Sequence, residues 1–306
     1  MRGNSWTDTG FKPNGIQPSS TNPLGNSEIN SSAPFHNSRW ISYLSTAYNA
    51  SIIKNYNLAV TAATVDNSII PHITNDLKYQ IQTTFRTLYT KKPAWKPTST
   101  LFAILIGVND IEVMDANKTL STKTSDVFKT YASLLTTLYS SGARTFLLLN
   151  APPLQHAPSA SPSITPFVTD WNSRLQSMAR AFSSQHMDVS MFTFATDELF
   201  EQIFANPAAF RETKGLRNLT AKCDAYQNYQ GPDPGYRNAS CGNASFEEFF
   251  WRDGLHPMFT VHEVMAREMA EGLSGGRNGT GGFVKLLGQN ESESVVETRR
   301  WRVRRD

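Results

Sequence analysis

Two short stretches, Leu101–Gly107 (LFAILIG) and Arg144–Asn150 (RTFLLLN), hold apolar runs with no polar alternation inside them. A strand with one wet face alternates apolar and polar residues. A run that is apolar at every position reads as a strand covered on both faces, the pattern of a parallel sheet enclosed by helices. Parallel neighbours need crossover connections, and the sequence between the two runs supplies one. Val127, Tyr131, Leu134, Leu135 and Leu138 recur at helical spacing, and Gly142 is a natural stop.

The alternation continues. Phe167, Trp171, Leu175, Met178, Ala179 and Phe182 mark a second helix, and Val189–Phe194 a third strand. A last helix is expected to begin at Thr260, with Glu263 three positions on completing a capping box, and to carry Val261, Met265, Met269 and Leu273 on one face. This order predicts an α/β fold with a central parallel sheet between helices. Polar loops flank it over about residues 12–36 and 152–166. One domain is expected over residues 1–273, followed over 274–306 by a flexible extension, glycine-rich at first and arginine-rich at its end. Those glycines follow no strand and open no helix, so they do not read as a nucleotide-binding turn.

Charge narrows the partners. The chain has 306 residues and a formal charge of +3, yet the final eight positions, RRWRVRRD, carry +4 by themselves and leave −1 for the rest. A body so near neutrality argues against nucleic acid as a partner. The ordinary reading of a terminal basic run is a solvated end. No apolar run has the length of a membrane span.

Cys223 and Cys241 fit neither a zinc pattern nor a redox pair, and a bridge between them would contribute roughly 3 kcal/mol. Asn-x-Ser/Thr acceptors stand at Asn30, Asn49, Asn117, Asn218, Asn238, Asn243, Asn278 and Asn290, about twice the number that chance gives. Disulfide and acceptors together predict an extracellular protein. No secretory signal follows Met1, where the sequence runs directly into Arg-Gly-Asn-Ser.

Phosphate loops, H-E-x-x-H zinc motifs and G-x-S-x-G elbows are absent from the sequence. Four other segments occur in order: Gly3-Asn4-Ser5, then Asn57-Leu58-Ala59-Val60-Thr61-Ala62-Ala63, then Gly107-Val108-Asn109-Asp110 directly after a strand, and Asp253-Gly254-Leu255-His256-Pro257 ahead of the last helix. Acyl transfer needs a nucleophile, a base, a group that fixes the base in one tautomer, and donors for the developing oxyanion. Ser5, His256, Asp253 and Asn109 are the right residue types, Asn109 at the carboxyl edge of a buried strand. His36, His72, His156, His186 and His262 read as surface or core histidines.

The four segments resemble the four blocks of the SGNH (GDSL-type) hydrolases. TNPLGN at Thr21–Asn26, Asn57–Ser68, LNAPP at Leu149–Pro153, the paired cysteines and FFWRDGLHP look most like fungal carbohydrate esterase family 16. The resemblance implies a three-layer α/β/α flavodoxin-like fold and a secreted, monomeric acetylesterase that needs no metal or cofactor. It implies Ser5, Asp253 and His256 as the triad, with Ser5, Ala62 and Asn109 as the oxyanion hole. Small acetylated carbohydrates are the implied substrate. A lipase or phospholipase of the same superfamily and a catalytically impaired carbohydrate-binding relative are the alternatives. Trp6, Phe250 and Trp251 flank the catalytic segments as candidates to stack on a sugar.

Three departures stand out. Asn4 replaces the aspartate of the first block, exchanging a charged acceptor for an amide. Thr61-Ala62 replaces Gly-Gly in the second, and a positive φ at Ala62 would strain it by about 1–2 kcal/mol. The resemblance also implies a signal peptide and an inner strand before the first block. From Met1 the sheet is therefore expected to have a truncated first strand, and an upstream start codon or lost exon is the expected explanation.

Overall fold

The structure is a computed structural model, described here for residues 2–25, 38–90, 95–275 and 283–286. Its centre is a sheet of five strands in sequential order: β1 (Arg2–Gly3), β2 (Leu101–Leu105), β3 (Thr145–Leu149), β4 (Ser190–Phe194) and β5 (Phe283–Leu286). The first four are parallel and β5 runs antiparallel to β4. Ile104, Leu105 and Phe146–Leu149 are fully buried, as expected for strands covered on both faces.

The principal helices are α1 (Trp40–Thr46), α2, α3 (Val108–Ala116), α4 (Leu120–Ser140), α5 (Thr165–Gln185), α6 (Thr196–Ala205) and α7 (Phe259–Leu273). Helix α2 consists of Leu77–Tyr79, a π-wound Gln80–Phe85 and Arg86–Leu88. The apolar stripes named above bury Val127, Tyr131, Leu134, Trp171, Leu175, Met265 and Met269 against the sheet.

Two local expectations are corrected. Strand β5 lies within the 274–306 extension expected to be flexible, just past its glycine-rich part, so the sheet extends past Leu273 to Leu286; residues 276–282 lie outside the described residues. The arginine-rich end lies outside the described residues. Helix α7 starts at Phe259 after Met258, and no Thr260–Glu263 capping box forms. Thr260 Oγ1 is buried without a partner among the described residues, and Glu263 instead accepts the Tyr48 hydroxyl at 2.9 Å. A capping box does form at Ser245 and Glu248.

Strand β1 is short. It pairs two residues, Arg2 with Ile104 and Gly3 with Leu105. Toward the start of β2 on that side lies a cleft of about 1180 Å³ whose lining includes Arg2, Asn55, Phe85, Leu101 and Phe102. Among the described residues, both side-chain polar atoms of buried Asn55 and Nε of buried Arg2 lack partners. The Arg2 guanidinium lies 4.3 Å from the Phe85 ring centre, and burial lowers its pKa to about 9.

The Cys223–Cys241 disulfide closes the loop before the last catalytic segment, over a small second core containing Tyr226, Phe246 and Phe249. Among the described residues, no helix is long and apolar enough to cross a membrane.

Candidate active site

Ser5 leaves the carboxyl end of β1 in a tight turn. The Asn4 carbonyl accepts the Thr7 and Asp8 N–H groups at 3.0 and 2.9 Å, and Asn4 Oδ1 accepts the Trp6 N–H at 3.1 Å. The amide in place of a carboxylate has a visible cost, because Asn4 Nδ2 is buried with no acceptor among the described residues. Gly3 is required by close approach, since a Cβ there would sit 2.1 Å from the Leu105 carbonyl oxygen.

With so short a strand, side chains take over backbone pairing. Gln80 of α2 accepts the Gly3 N–H at 3.0 Å and donates to the Gly3 carbonyl at 2.9 Å, doing for β1 what a neighbouring strand does elsewhere. Asn57 donates to the Thr7 carbonyl at 2.6 Å and to Thr9 Oγ1 at 2.9 Å. Arg39 Nε donates to the Ser5 carbonyl at 3.0 Å, and Trp40 Nε1 to Thr7 Oγ1 at 3.2 Å. Gln80 and Arg39 carry no motif and were not singled out in the sequence.

His256 and Asp253 sit on a turn whose two limbs pair by backbone. Trp251 bridges Pro257 in antiparallel fashion, the Arg252 N–H donates to the His256 carbonyl at 2.9 Å, and the Met258 N–H to the Phe250 carbonyl at 2.7 Å. The structure brings Ser5, His256 and Asp253 together across 251 positions of sequence. Ser5 Oγ lies 2.8 Å from His256 Nε2, and His256 Nδ1 lies 2.9 and 3.0 Å from the two Asp253 oxygens. Asp253 Oδ1 also accepts the Leu255 and His256 backbone N–H groups, both at 2.8 Å. Burial alone would raise the Asp253 carboxyl, but the histidine and these two N–H groups outweigh it and hold the pKa down to about 2. A carboxylate on Nδ1 fixes the proton there and leaves Nε2 to accept the serine hydroxyl.

The remaining two blocks lock onto this turn. Asp8 Oδ2 accepts the Thr61 N–H at 2.8 Å and its hydroxyl at 2.9 Å, and the Gly3 carbonyl accepts the Val60 N–H at 3.0 Å. From the first turn of α3, Asn109 donates to the Ala63 carbonyl at 2.8 Å and Asp110 accepts the Val65 N–H at 3.0 Å. One Asn109 amide proton is thereby spent and the other is unspent. Among the described residues neither the Ser5 N–H nor the Ala62 N–H donates to any group. Ala62 has φ 65°, the left-handed conformation that glycine adopts without strain. Burial raises the Asp110 pKa to about 7.

The sugar-stacking expectation for Trp6, Phe250 and Trp251 is corrected. All three are at most 1% exposed and present no open face. Trp6 lies against Phe200, His256 and His262, and Trp251 lies against Phe250 and Phe204 with its N–H on the Leu219 carbonyl. Trp6 thus packs on the histidine, and Phe250 and Trp251 pack on Phe204 in the core, not on a ligand.

The family model of the GDSL-like lipases/acylhydrolases matches residues 3–269, which takes in all four blocks. The chain belongs to the GDSL-like lipase/acylhydrolase family. An acetylesterase from Thermothelomyces thermophilus is 28% identical over 289 residues, covering 89% of this chain and 87% of that protein. A thermolabile hemolysin from Vibrio parahaemolyticus is 27% identical over 242 residues, covering 76% of this chain and 54% of that protein. Two solved structures share the fold at 15% identity. A GDSL-like lipase from Parabacteroides merdae has a TM-score of 0.51 over 88% of this chain and 91% of its own. An acetyl xylan esterase from Geobacillus stearothermophilus has 0.50 over 87% and 89%. This GDSL-type protein is a carboxylic ester hydrolase with an α/β fold.

Proposed function

We propose that this esterase removes acetyl groups from carbohydrates, with Ser5 as nucleophile, His256 as general base and then acid, and Asp253 as the carboxylate that orients the imidazole. The unbroken hydrogen-bonded chain from Ser5 Oγ through His256 to Asp253 carries the reading. Ser5 Oγ attacks the ester carbonyl while His256 Nε2 takes its proton. The Ser5 N–H, the Ala62 N–H and the unspent Asn109 amide proton stabilise the oxyanion. His256 then protonates the departing sugar oxygen, and water, activated by the same imidazole, releases acetate from the acyl-serine.

The likeness to an acetylesterase over most of both chains supports the acetyl preference. We propose that the protein is secreted, which the disulfide and the exposed glycosylation acceptors Asn117 and Asn243 support.

The test is acetate release from acetylated xylo-oligosaccharides and turnover of p-nitrophenyl esters of increasing chain length. The expected result is preference for acetyl, and loss of roughly a thousandfold or more in Ser5→Ala. Faster turnover of long-chain esters would move the reading to a lipase. Equal activity in Ser5→Ala and the unmodified protein would overturn it.

A further inference from the structure

Arg39 stands immediately before α1, whose first residue, Trp40, is also bonded to the nucleophile turn. Its Nε is committed to the Ser5 carbonyl at 3.0 Å. Among the described residues its two Nη groups make no hydrogen bond and no carboxylate lies within ion-pair reach of them. By contrast, Arg144, Arg174, Arg211, Arg217, Arg237 and Arg267 each hold an acidic partner. The acids nearest to Arg39 in the electrostatic sense are Asp8 and Asp253, and both have their oxygens occupied. Asp8 serves Gly10 and Thr61, and Asp253 serves His256 and the turn N–H groups. Arg252 adds a second, repelling cation. Burial, and then Arg252, lower the Arg39 pKa to about 10, so the group is still charged at neutral pH.

A largely desolvated guanidinium beside the nucleophile, with four of its five N–H donors unspent, is suited to oxygen acceptors fixed in one plane. Its main-chain bond limits where the fork can swing. An acetylated sugar brings hydroxyl and ring oxygens next to the scissile ester, whereas an aryl acetate brings none.

We propose that Arg39 is a specificity-determining residue that holds the Ser5 carbonyl through Nε and binds oxygens of the sugar leaving group through its Nη groups. This rests on the carbohydrate reading above. The experiment compares kcat/KM on two esters with the same acyl group, acetylated xylose and p-nitrophenyl acetate, for the unmodified protein, Arg39→Ala and Arg39→Lys. Loss of charge-assisted hydrogen bonds to the sugar predicts a drop of about tenfold to a hundredfold for Arg39→Ala on the sugar, beyond any drop on the aryl ester. Arg39→Lys, which keeps the charge without the planar fork, should fall less than Arg39→Ala on both esters, and further on the sugar ester than on the aryl ester. Should Arg39→Ala not fold, the Arg39→Lys ratio decides by itself.

An equal fall on both esters overturns the sugar contact and leaves Arg39 acting through Ser5 alone. No fall on either overturns both roles. If the unmodified protein turns over p-nitrophenyl acetate but no acetylated sugar, the carbohydrate reading fails and this proposal fails with it, an outcome separate from the first two.

Discussion

The serine and the histidine that meet at 2.8 Å are held by scaffolds of opposite kinds. The histidine turn is braced along its own backbone by the Trp251–Pro257 bridge, the Met258 N–H on the Phe250 carbonyl and the start of α7. It is braced from outside by the Ser159 N–H on the Gly254 carbonyl. The serine turn hangs from two residues of strand with one neighbour, and most of its support comes from side chains elsewhere in sequence: Gln80, Asn57, Arg39 and Trp40. A short strand leaves backbone groups to be satisfied, and buried amides and a guanidinium satisfy them. Single side-chain changes should therefore damage the serine arm far more than the histidine arm.

Gln80→Met tests this most severely. It strips Gly3 of the partner for its N–H and of one of two donors to its carbonyl, which should cost about 2–3 kcal/mol. In thermal melts that is a fall of roughly 5–10 °C, with a drop in kcat because Ser5 lies two residues away. Ser159→Ala, on the other arm, leaves the backbone bond from Ser159 to Gly254 intact and should change Tm by less than about 2 °C. Equal effects of the two substitutions would break the comparison.

Acidity separates two carboxylates near these arms, Asp253 partly buried and Asp110 fully buried. Asp253, held down to about 2, contributes stability present above the unfolded value near 3.8 and lost as pH falls through 2. Asp110, raised to about 7, contributes in the opposite direction: its stability is full below 3.8 and lost as pH rises through 7. Asp110→Asn keeps an acceptor for the Val65 N–H and cannot ionise. It should flatten the decline in Tm between pH 4 and 8, whereas an unchanged slope would place that decline elsewhere.

The legible half of the site was the half that motifs describe. Asp253 and His256 lie in one turn, so five consecutive residues disclose them, and β2, β3 and β4 are disclosed by their unbroken apolar runs. Gln80 is 77 positions from the glycine it pairs with, and nothing local distinguishes it from a surface glutamine. Strand β5 was hidden because four residues after a glycine-rich stretch carry little pattern until β4 offers them an edge. Trp6 and Trp251 looked like ligand platforms because sequence shows proximity to the motif but not burial. Thr260 shows the reverse case, a capping pattern overridden because the N-cap of helix α7 is Met258, two residues earlier.

The smallest expected effect lies where the serine arm meets the second block. Ala62→Gly relieves a left-handed alanine and should raise stability by about 0.5–1 kcal/mol, the gain in strain exceeding the added freedom of the unfolded chain. A loss of stability would mean that the Ala62 methyl group makes contacts that outweigh its strain.

The account centres on Ser5 as the activated nucleophile, and covalent capture tests that most directly. Treatment with a fluorophosphonate, followed by peptide mapping, should place one phosphonyl group on Ser5 in the unmodified protein, with labelling strongly slowed in His256→Ala and absent in Ser5→Ala. Stoichiometric labelling at another serine, or labelling that persists in Ser5→Ala, would contradict it.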